Sequence, residues 1–222
     1  MKKRVFAIIL IVCLAAGAAF AASQSHLEVG LQVGYGCYQI QATNKEDSNR
    51  YVNLFNGGFY FGASAVYELP NGIGLRGEVG INNMSKAKFK ARSGGLAITQ
   101  NADKTSPIQW SFYGGLQYCI EFSNDLCLDA GIGCDVLLGR MVADNDDSFN
   151  LALGPAAEAD LEFHLNDRVH VTFGGKFAWH IYNSNEDVGD VLSGAISIIT
   201  LGGESVLTNF SAQTFAGIKY VL

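Results

Sequence analysis

The chain alternates apolar and polar residues over long stretches, most clearly in its last fifteen residues. From Thr208 to Leu222, one alternate set is mostly apolar and ends in Tyr220 and Leu222, whereas the other is mostly small or polar. Side chains along a β-strand point alternately to two sides, so a period of two predicts a strand with one apolar face. Seven earlier stretches alternate in the same way. The sequence therefore predicts an all-β fold of eight strands.

The connections between the predicted strands alternate between long and short. The strands cover residues 25–38, 58–69, 73–82, 108–122, 126–139, 149–164, 168–182 and 208–222. Each of the three short connections is centred on an asparagine (Asn71, Asn124, Asn166), a residue that tolerates turn conformations. Their odd lengths keep the apolar face on one side from strand to strand. This alternation of long and short connections predicts an antiparallel up-and-down barrel.

The first residues have the pattern of a secretory signal peptide. A basic start at Lys2 to Arg4 precedes an apolar run from Val5 to Leu14, and Ala19 to Ala21 fits a cleavage site. The run is short for a membrane-spanning helix. We therefore expect residues 1–21 to be a cleaved signal peptide and residues 22–222 to form one barrel domain.

The last stretch also resembles the closing strand of bacterial outer-membrane β-barrels. In those proteins the final strand carries an assembly signal, and Gly217, Tyr220 and Leu222 match its pattern. Phe215 stands where a polar residue is usual, and Leu222 replaces the commoner Phe. The resemblance implies a small transmembrane barrel of the OmpW, OmpX and OmpA kind, with OmpW-like barrels favoured. It also implies contact with outer-membrane lipids and the barrel assembly machinery, and both termini in the periplasm.

Alternation alone leaves open which face points inward, because a soluble lipocalin-like barrel has its apolar face inside. Two features favour a membrane barrel. Each apolar face is long enough for the roughly 9–11 residues that cross a bilayer. Aromatic residues also gather near the strand ends, as they do at the two membrane interfaces.

Composition and charge narrow the function. The chain has 26 Gly, 14 Phe, 9 Tyr and 3 Pro, which agrees with the predicted all-β fold. Its net charge is −6, with one basic connection, which argues against nucleic-acid binding.

The charged residues on the polar face predict a layer of ion pairs inside the barrel, because charges away from water need partners. The expected pairs are Glu68 with Arg76, Glu162 with His170 and Arg168, Glu158 with Lys176, and Glu28 with Lys219. The layer also includes Glu78, Glu121, Asp129 and Asp160. It could gate a narrow channel, or it could be a structural plug, since side chains can fill an eight-stranded interior.

Two long connections carry residues that could bind ligands. One is basic, with Lys86, Lys88, Lys90 and Arg92, and could meet anionic lipopolysaccharide or host polyanions, or simply be a solvated loop. The last connection has an apolar patch formed by Val191, Leu192, Ile196, Ile198, Ile199 and Leu201. Exposed apolar patches tend to mark binding sites, so this one could line an entry for small hydrophobic solutes. Alternatively, it packs within its own loop or extends the flanking strands.

Few residues suggest covalent chemistry. Cys119 and Cys127 lie diagonally across one predicted hairpin on the polar face, which allows a disulfide in the oxidising periplasm. The spacings of cysteine and histidine match no metal site, and no cofactor is expected. His180 and Ser184 resemble the His/Ser arrangement of barrel lipid A deacylases, but they are four apart rather than two and both face inward. We therefore do not expect an enzyme.

Two functional hypotheses follow, since this fold does not fix function. The leading one is an OmpW-like porin that offers small solutes a narrow or hydrophobic passage. The alternative is a non-conducting surface barrel whose external loops bind host or envelope partners.

Overall fold

The computed structural model describes residues 26–93, 96–102, 108–143, 146–183 and 205–222, which form ten strands of one antiparallel sheet. The strands are β1 (His26–Asn44), β2 (Tyr51–Glu68), β3 (Ile73–Ser93), β4 (Leu96–Ala102), β5 (Ile108–Ser123), β6 (Leu126–Ala143), β7 (Asp146–Asn166), β8 (Val169–Trp179), β9 (Tyr182–Asn183) and β10 (Ser205–Val221). The expected signal peptide lies outside these residues. Across the described ranges, no helix has the length and apolar character needed to span a membrane.

Eight of the strands close into a barrel. Their order is β2-β1-β10-β8-β7-β6-β5-β3, and pairing of β2 with β3 completes the circle. The remaining two are extensions: β4 and β5 pair with successive parts of β3, and β9 follows β8 and pairs with β7. The predicted all-β, eight-stranded antiparallel barrel is confirmed.

The two ends of the barrel differ in how the strands are connected. At one end, called the turn end, β2–β3, β5–β6 and β7–β8 are joined by residues 69–72, 124–125 and 167–168. Gly72 adopts a φ of 76° in the first of these turns, a left-handed conformation that glycine accepts without strain. His26 and Leu222 also lie at the turn end. The opposite end, called the loop end, carries the β1–β2 connection of residues 45–50, the β9–β10 connection of residues 184–204, the β3–β4 hairpin and the short β6–β7 connection of residues 144–145.

The strands extend further at the loop end than the sequence predicts. β1 continues to Asn44, β2 begins at Tyr51 and β3 continues to Ser93, so most of the two long connections predicted there is strand. The prediction of a basic loop over residues 86–92 was wrong, because these residues belong to β3. Their backbone pairs with β2 on one side and, from residue 87, with β4 on the other. The alternation of basic and apolar residues over this stretch is itself a strand pattern.

The outer surface of the barrel is apolar over most of its height. Large apolar side chains such as Leu31, Phe59 and Ile132 are 71, 65 and 71% exposed, whereas polar residues of the same strands are buried inside. The apolar face therefore points outward, as a membrane barrel requires and a lipocalin-like barrel does not.

The interior is different at the loop end. There the inward side chains are mostly apolar, and eight of them pack together in what we call the loop-end cluster. It consists of Tyr38, Ile40, Ala42, Val52, Met84, Ala91, Leu137 and Ala152. The outward residues of β1 at the same height are Gln39, Gln41 and Thr43, whose side chains form a hydrogen-bonded row.

Candidate functional site

A group of buried charges fills the middle of the barrel. Arg76 on β3 contacts Glu78 at 3.2 Å, Glu158 at 3.2 Å and Asp160. Glu158 and Asp160 lie on β7, and two strands separate β3 from β7 in the sheet. The guanidinium therefore reaches across the lumen. Its side chain has no solvent exposure.

Lys176 on β8 extends this group towards the loop end. Its Nζ lies 2.8 Å from Glu78 and 3.0 Å from Asp135, and it donates to the Ser111 hydroxyl at 3.2 Å. Asp135 also contacts His180 Nε2 at 3.2 Å. We call Arg76, Glu78, Asp135, Glu158, Asp160, Lys176 and His180 the central cluster. Desolvation opposes such buried charges, so each depends on the partners around it.

A second group of charges lies near the turn end. Lys219 on β10 contacts Asp129 at 2.8 Å, Glu28 at 3.5 Å and Glu162. Glu162 also contacts His170 Nδ1 at 2.7 Å. His26 contacts Glu28 and Glu68 at 3.4 and 3.3 Å. We call these residues, His26, Glu28, Glu68, Asp129, Glu162, His170 and Lys219, the turn-end cluster.

Below this cluster, a cavity of about 570 Å³ opens at the turn end. Its rim is formed by turn residues such as Asn124 and Asp167, and its wall includes Cys119, Cys127 and His164. Both cysteines are free thiols in the structure. Cys127 lies opposite Glu121, which places Cys119 two residues away on the paired strand. A disulfide between Cys119 and Cys127 stays a prediction.

The structure brings together two of the ion pairs expected from sequence, Glu28 with Lys219 and Glu162 with His170. The register differs from expectation at the second pair: Glu162 lies opposite Thr172, because the β7–β8 pairing shifts between His164 and Asn166.

The other expected pairs take different partners. Glu68 contacts His26 rather than Arg76, although Arg76 does lie on the neighbouring strand. Glu158 lies directly opposite Lys176, yet its carboxylate contacts Arg76. The expected contacts assumed hairpin neighbours. In a narrow lumen, long side chains also reach partners on distant strands, and these cross-lumen contacts determine which charged residues form ion pairs.

Two residues expected in the ion-pair layer lie outside it. Glu121 and Arg168 are exposed at the turn end, and Arg168 donates to the Tyr220 hydroxyl at 3.4 Å. Arg168 is next to irregular pairing at a strand end, where side-chain parity no longer determines direction. Placing the Arg168 side chain in the lumen was wrong. Glu121 lies opposite Cys127 and lines the turn-end cavity, but it is exposed there and not buried in the ion-pair layer.

Asp135 and His180 belong to the central cluster although no ion pair was expected for them. They lie on β6 and just after β8, two strands apart. The sequence alternation could show that both side chains point into the barrel, but it could not show which residue each contacts across the lumen. His180 is buried against Asp135 and the Tyr38 ring. Ser184, the other residue of the deacylase-like arrangement, lies outside the described residues.

The basic stretch lies on the part of β3 nearest the loop end. Lys88, Lys90 and Arg92 are exposed, and the backbone of Lys86 pairs with Gly57. The apolar patch of Val191, Leu192, Ile196, Ile198, Ile199 and Leu201 falls outside the described residues.

The assembly-signal residues lie on the strand that closes the barrel. Gly217 is opposite Gln32 and Tyr220 is opposite Val29, while the Leu222 amide donates to the Leu27 carbonyl at 2.8 Å. The role of these residues in assembly stays a prediction.

Several solved outer-membrane barrels are similar to this chain in fold. Neisserial surface protein A is 13% identical, with 86% of this chain and 96% of that chain covered and a TM-score of 0.45. Ail of Yersinia pestis, solved with the heparin analogue sucrose octasulfate, is 10% identical, with 88% and 99% covered and a TM-score of 0.45. OprG of Pseudomonas aeruginosa is 13% identical, with 88% and 95% covered and a TM-score of 0.43. At these identities and scores, the likenesses carry no argument about function.

No curated protein matches the chain in sequence. Residues 6–202 match the family described as outer membrane protein beta-barrel domain, and the match takes in most of the chain. The closed eight-stranded barrel, the apolar outer face and the buried interior charges agree with that match. The chain therefore belongs to the outer membrane protein beta-barrel family.

Proposed function

We propose that the protein is a surface barrel with a closed lumen, whose extended loop end binds anionic polymers of the host or the envelope. The observation that carries this proposal is the central cluster, whose charged pairs span the lumen. The side chains of Arg76, Glu78, Asp135 and Lys176 are at most 1% exposed. The loop-end cluster lies above them and is also buried.

This interior opposes the passage of ions. A permeating ion would have to separate buried ion pairs, and removing one partner from such a pair costs about 3–5 kcal/mol. It would then have to cross the loop-end cluster, whose eight apolar side chains cannot replace its hydration. A filled lumen is also what eight strands favour on geometric grounds.

The proposed orientation places the turn end in the periplasm and the loop end outside the cell. Membrane barrels of this kind have short periplasmic turns and longer external loops. The turn end carries connections of two to four residues as well as both ends of the described barrel. An epitope inserted at Ser48 should therefore be detected on intact cells, and one inserted at Asp167 only after permeabilisation. The reverse labelling would contradict the orientation.

A row of cations on β3 is the proposed binding surface. Lys88, Lys90 and Arg92 occupy alternate positions, so they share one face and are spaced about 7 Å apart. They lie opposite Phe55, Asn53 and Tyr51 on β2. Val52 and Ala91, on the other face of the same two strands, are buried in the loop-end cluster. The cation row therefore faces outward.

Two measurements on the purified barrel test the two parts of the proposal. In planar bilayers we expect no conductance steps, whereas regular single-channel steps would contradict a closed lumen. A sulfated polysaccharide immobilised on a sensor should bind the wild-type barrel, with affinity that falls as salt rises because the contact is between charges. Binding that is independent of salt would contradict the proposed surface.

A matched pair of variants assigns the binding to the cation row. The triple variant Lys88→Glu, Lys90→Glu and Arg92→Glu should lose binding. Its control, Lys45→Glu, Arg50→Glu and Arg168→Glu, has the same net charge but leaves the row intact, and it should keep most of the binding. Equal loss in both variants would show that net charge, rather than this row, determines binding.

A narrow conduit for small solutes is the second candidate, and one observation favours it. The side-chain amides of Asn209 and Gln213, both on β10 and buried, have no hydrogen-bond partner among the described residues. Buried amides require partners, which water can supply, so part of the lumen is expected to be wet. Uptake of small polar or apolar solutes into liposomes by the wild-type barrel would favour the conduit over the closed barrel.

A further inference from the structure

We propose that the turn-end cavity binds a thiophilic divalent cation such as Zn²⁺ through Cys119, Cys127, Asp129 and His164. The site is independent of whether the lumen conducts and of what the loop end binds. It joins residues from three consecutive strands, β5, β6 and β7, where these strands reach the cavity.

Cys127 is the centre of the proposed site. Its sulfur lies 3.8 Å from His164 Nε2 and 4.0 Å from Asp129 Oδ1. The ligand atoms of Cys119, Cys127 and Asp129 all lie within 4.8 Å of one another. Tetrahedral zinc sites have Zn–S bonds of about 2.3 Å and Zn–N bonds of about 2.0 Å, which separate neighbouring ligand atoms by about 3.3–3.8 Å. Cys119, Cys127 and Asp129 need only small side-chain movements to reach this geometry. The ligand atom of His164 lies within 4.8 Å of those of Cys127 and Glu162, so the His164 ring has to move further to join Cys119 and Asp129.

His164 is already oriented as a metal ligand. Its Nδ1 lies 3.1 Å from the backbone carbonyl of Asn124, which can only accept a hydrogen bond, so Nδ1 carries the proton. In the neutral ring, Nε2 then presents its lone pair to the Cys127 sulfur. A hydrogen bond from the second ring nitrogen to a carbonyl is the usual support for metal-bound histidine.

The surroundings of His164 Nε2 favour a positive charge at that point. Besides the Cys127 sulfur, the nitrogen faces Glu162 Oε1 at 3.2 Å. A lone pair facing a carboxylate and a sulfur is repulsive unless a proton or a metal ion lies between them. The His164 ring also stacks on the His170 ring with centroids 4.1 Å apart, which holds the imidazole beside the Cys127 sulfur.

Asp129 is the carboxylate best placed to complete the site. Its Oδ2 is bound to Lys219, while Oδ1 faces the Cys127 sulfur. Glu162, by contrast, has Oε1 engaged by His170 and Oε2 by Lys219. Asp129 can therefore bind a cation through Oδ1 without breaking its ion pair.

The cavity also provides a route and an attractive potential for a cation. Seven carboxylates line it, whereas no lysine or arginine does so among the described residues. The lining acids are Glu28, Glu68, Glu121, Asp125, Asp129, Glu162 and Asp167. A cleft lined by one sign of charge raises the local concentration of oppositely charged ions.

Cobalt binding tests the site directly. The barrel is purified from outer membranes in detergent, treated with a phosphine reductant, stripped of metal and titrated with Co²⁺, which replaces Zn²⁺ and absorbs when bound to thiolates. We expect a thiolate-to-cobalt charge-transfer band that saturates at one equivalent and is reversed by added Zn²⁺. Cys127→Ala should abolish the band, and His164→Gln should weaken binding. Cys134→Ala, which changes an exposed cysteine outside the cavity, should leave the band unchanged.

Heat-modifiable gel migration of each variant shows whether the barrel has folded. Absence of the band in folded, reduced wild-type protein would overturn the proposal, as would an equal band in folded Cys127→Ala. Mass spectrometry of the protein as isolated provides a second test. A quantitative Cys119–Cys127 disulfide there would also overturn it, because both sulfurs would then be committed to a covalent link.

Discussion

The membrane-facing part of the barrel and its loop end are built from the same strands with opposite polarity. On β1, the outward residues Leu31 and Val33 are apolar and exposed, while Glu28 and Gln32 point inward and are buried. Further along the same strand, the outward Gln41 is polar and the inward residues belong to the loop-end cluster.

This inversion reflects a change of solvent around one continuous sheet. Where lipid surrounds the barrel, apolar side chains are favourable outside and the interior must hold the polar groups. Where water surrounds it, the ordinary arrangement returns and apolar side chains pack inside. The strand alternation stays the same, and only the assignment of its two faces changes. The polarity of each face therefore indicates whether lipid or water surrounds that part of the barrel.

Removing the main cation of the central cluster should have the largest effect. Arg76→Met leaves Glu78, Glu158 and Asp160 without their shared partner, so we expect a loss of about 3–5 kcal/mol in the free energy of unfolding. Urea unfolding in lipid vesicles, followed by tryptophan fluorescence, measures it. The control Arg168→Met removes an exposed arginine and should change stability by less than about 0.5 kcal/mol. Similar losses in the two variants would mean that the interior charges are solvated rather than buried.

A lysine placed on the outer face should distinguish the lipid-facing region from the loop end. Leu31→Lys puts a charge into the bilayer and should destabilise the barrel by about 2–4 kcal/mol. Gln41→Lys is on the same face of the same strand, ten residues further on, where we expect water, and should cost less than about 0.5 kcal/mol. The same unfolding measurement applies. A large cost at Gln41 would place the loop end of β1 inside the membrane and remove the basis of the comparison.

The sequence could predict the barrel because alternation is a local property. Eight apolar faces, three short turns and the closing strand follow from neighbouring residues, and the structure confirms the fold and the outward direction of the apolar face. The loop-end extensions were missed for a related reason. At Gln39 and Gln41 the polarity of the two faces exchanges, so a search for one continuous apolar face ends the strand too early.

The interior sites were less predictable because they depend on distance across the lumen. Arg76 meets Asp160, and Lys176 meets Glu78, over sequence separations of 84 and 98 residues. Hairpin registers cannot supply such contacts. Cys127 and His164 lie on the neighbouring strands β6 and β7, but the sequence predicts a long connection between these strands, so their register could not be derived from a short turn. Their spacing in sequence resembles no metal motif.

Removing a single methylene group from an isoleucine should give the smallest difference in the free energy of unfolding between the two regions. Ile40 is 1% exposed within the loop-end cluster, whereas Ile218 is 59% exposed on the apolar outer face. Ile40→Val should leave a small cavity in a packed interior and cost about 1 kcal/mol in the free energy of unfolding. Ile218→Val removes the same group, but mobile lipid chains can fill the space, so we expect a change close to zero.

Urea unfolding of both variants in the same vesicles provides the comparison, and the difference between them matters more than either value. A smaller cost for Ile40→Val than for Ile218→Val would indicate that the loop-end interior is open to solvent and not packed. In that case the apolar residues there would line an entrance to the lumen, which would favour the conduit over the closed barrel. A clear cost at Ile40 alone would instead support two differently built regions of one barrel, one packed inside against water and one facing lipid.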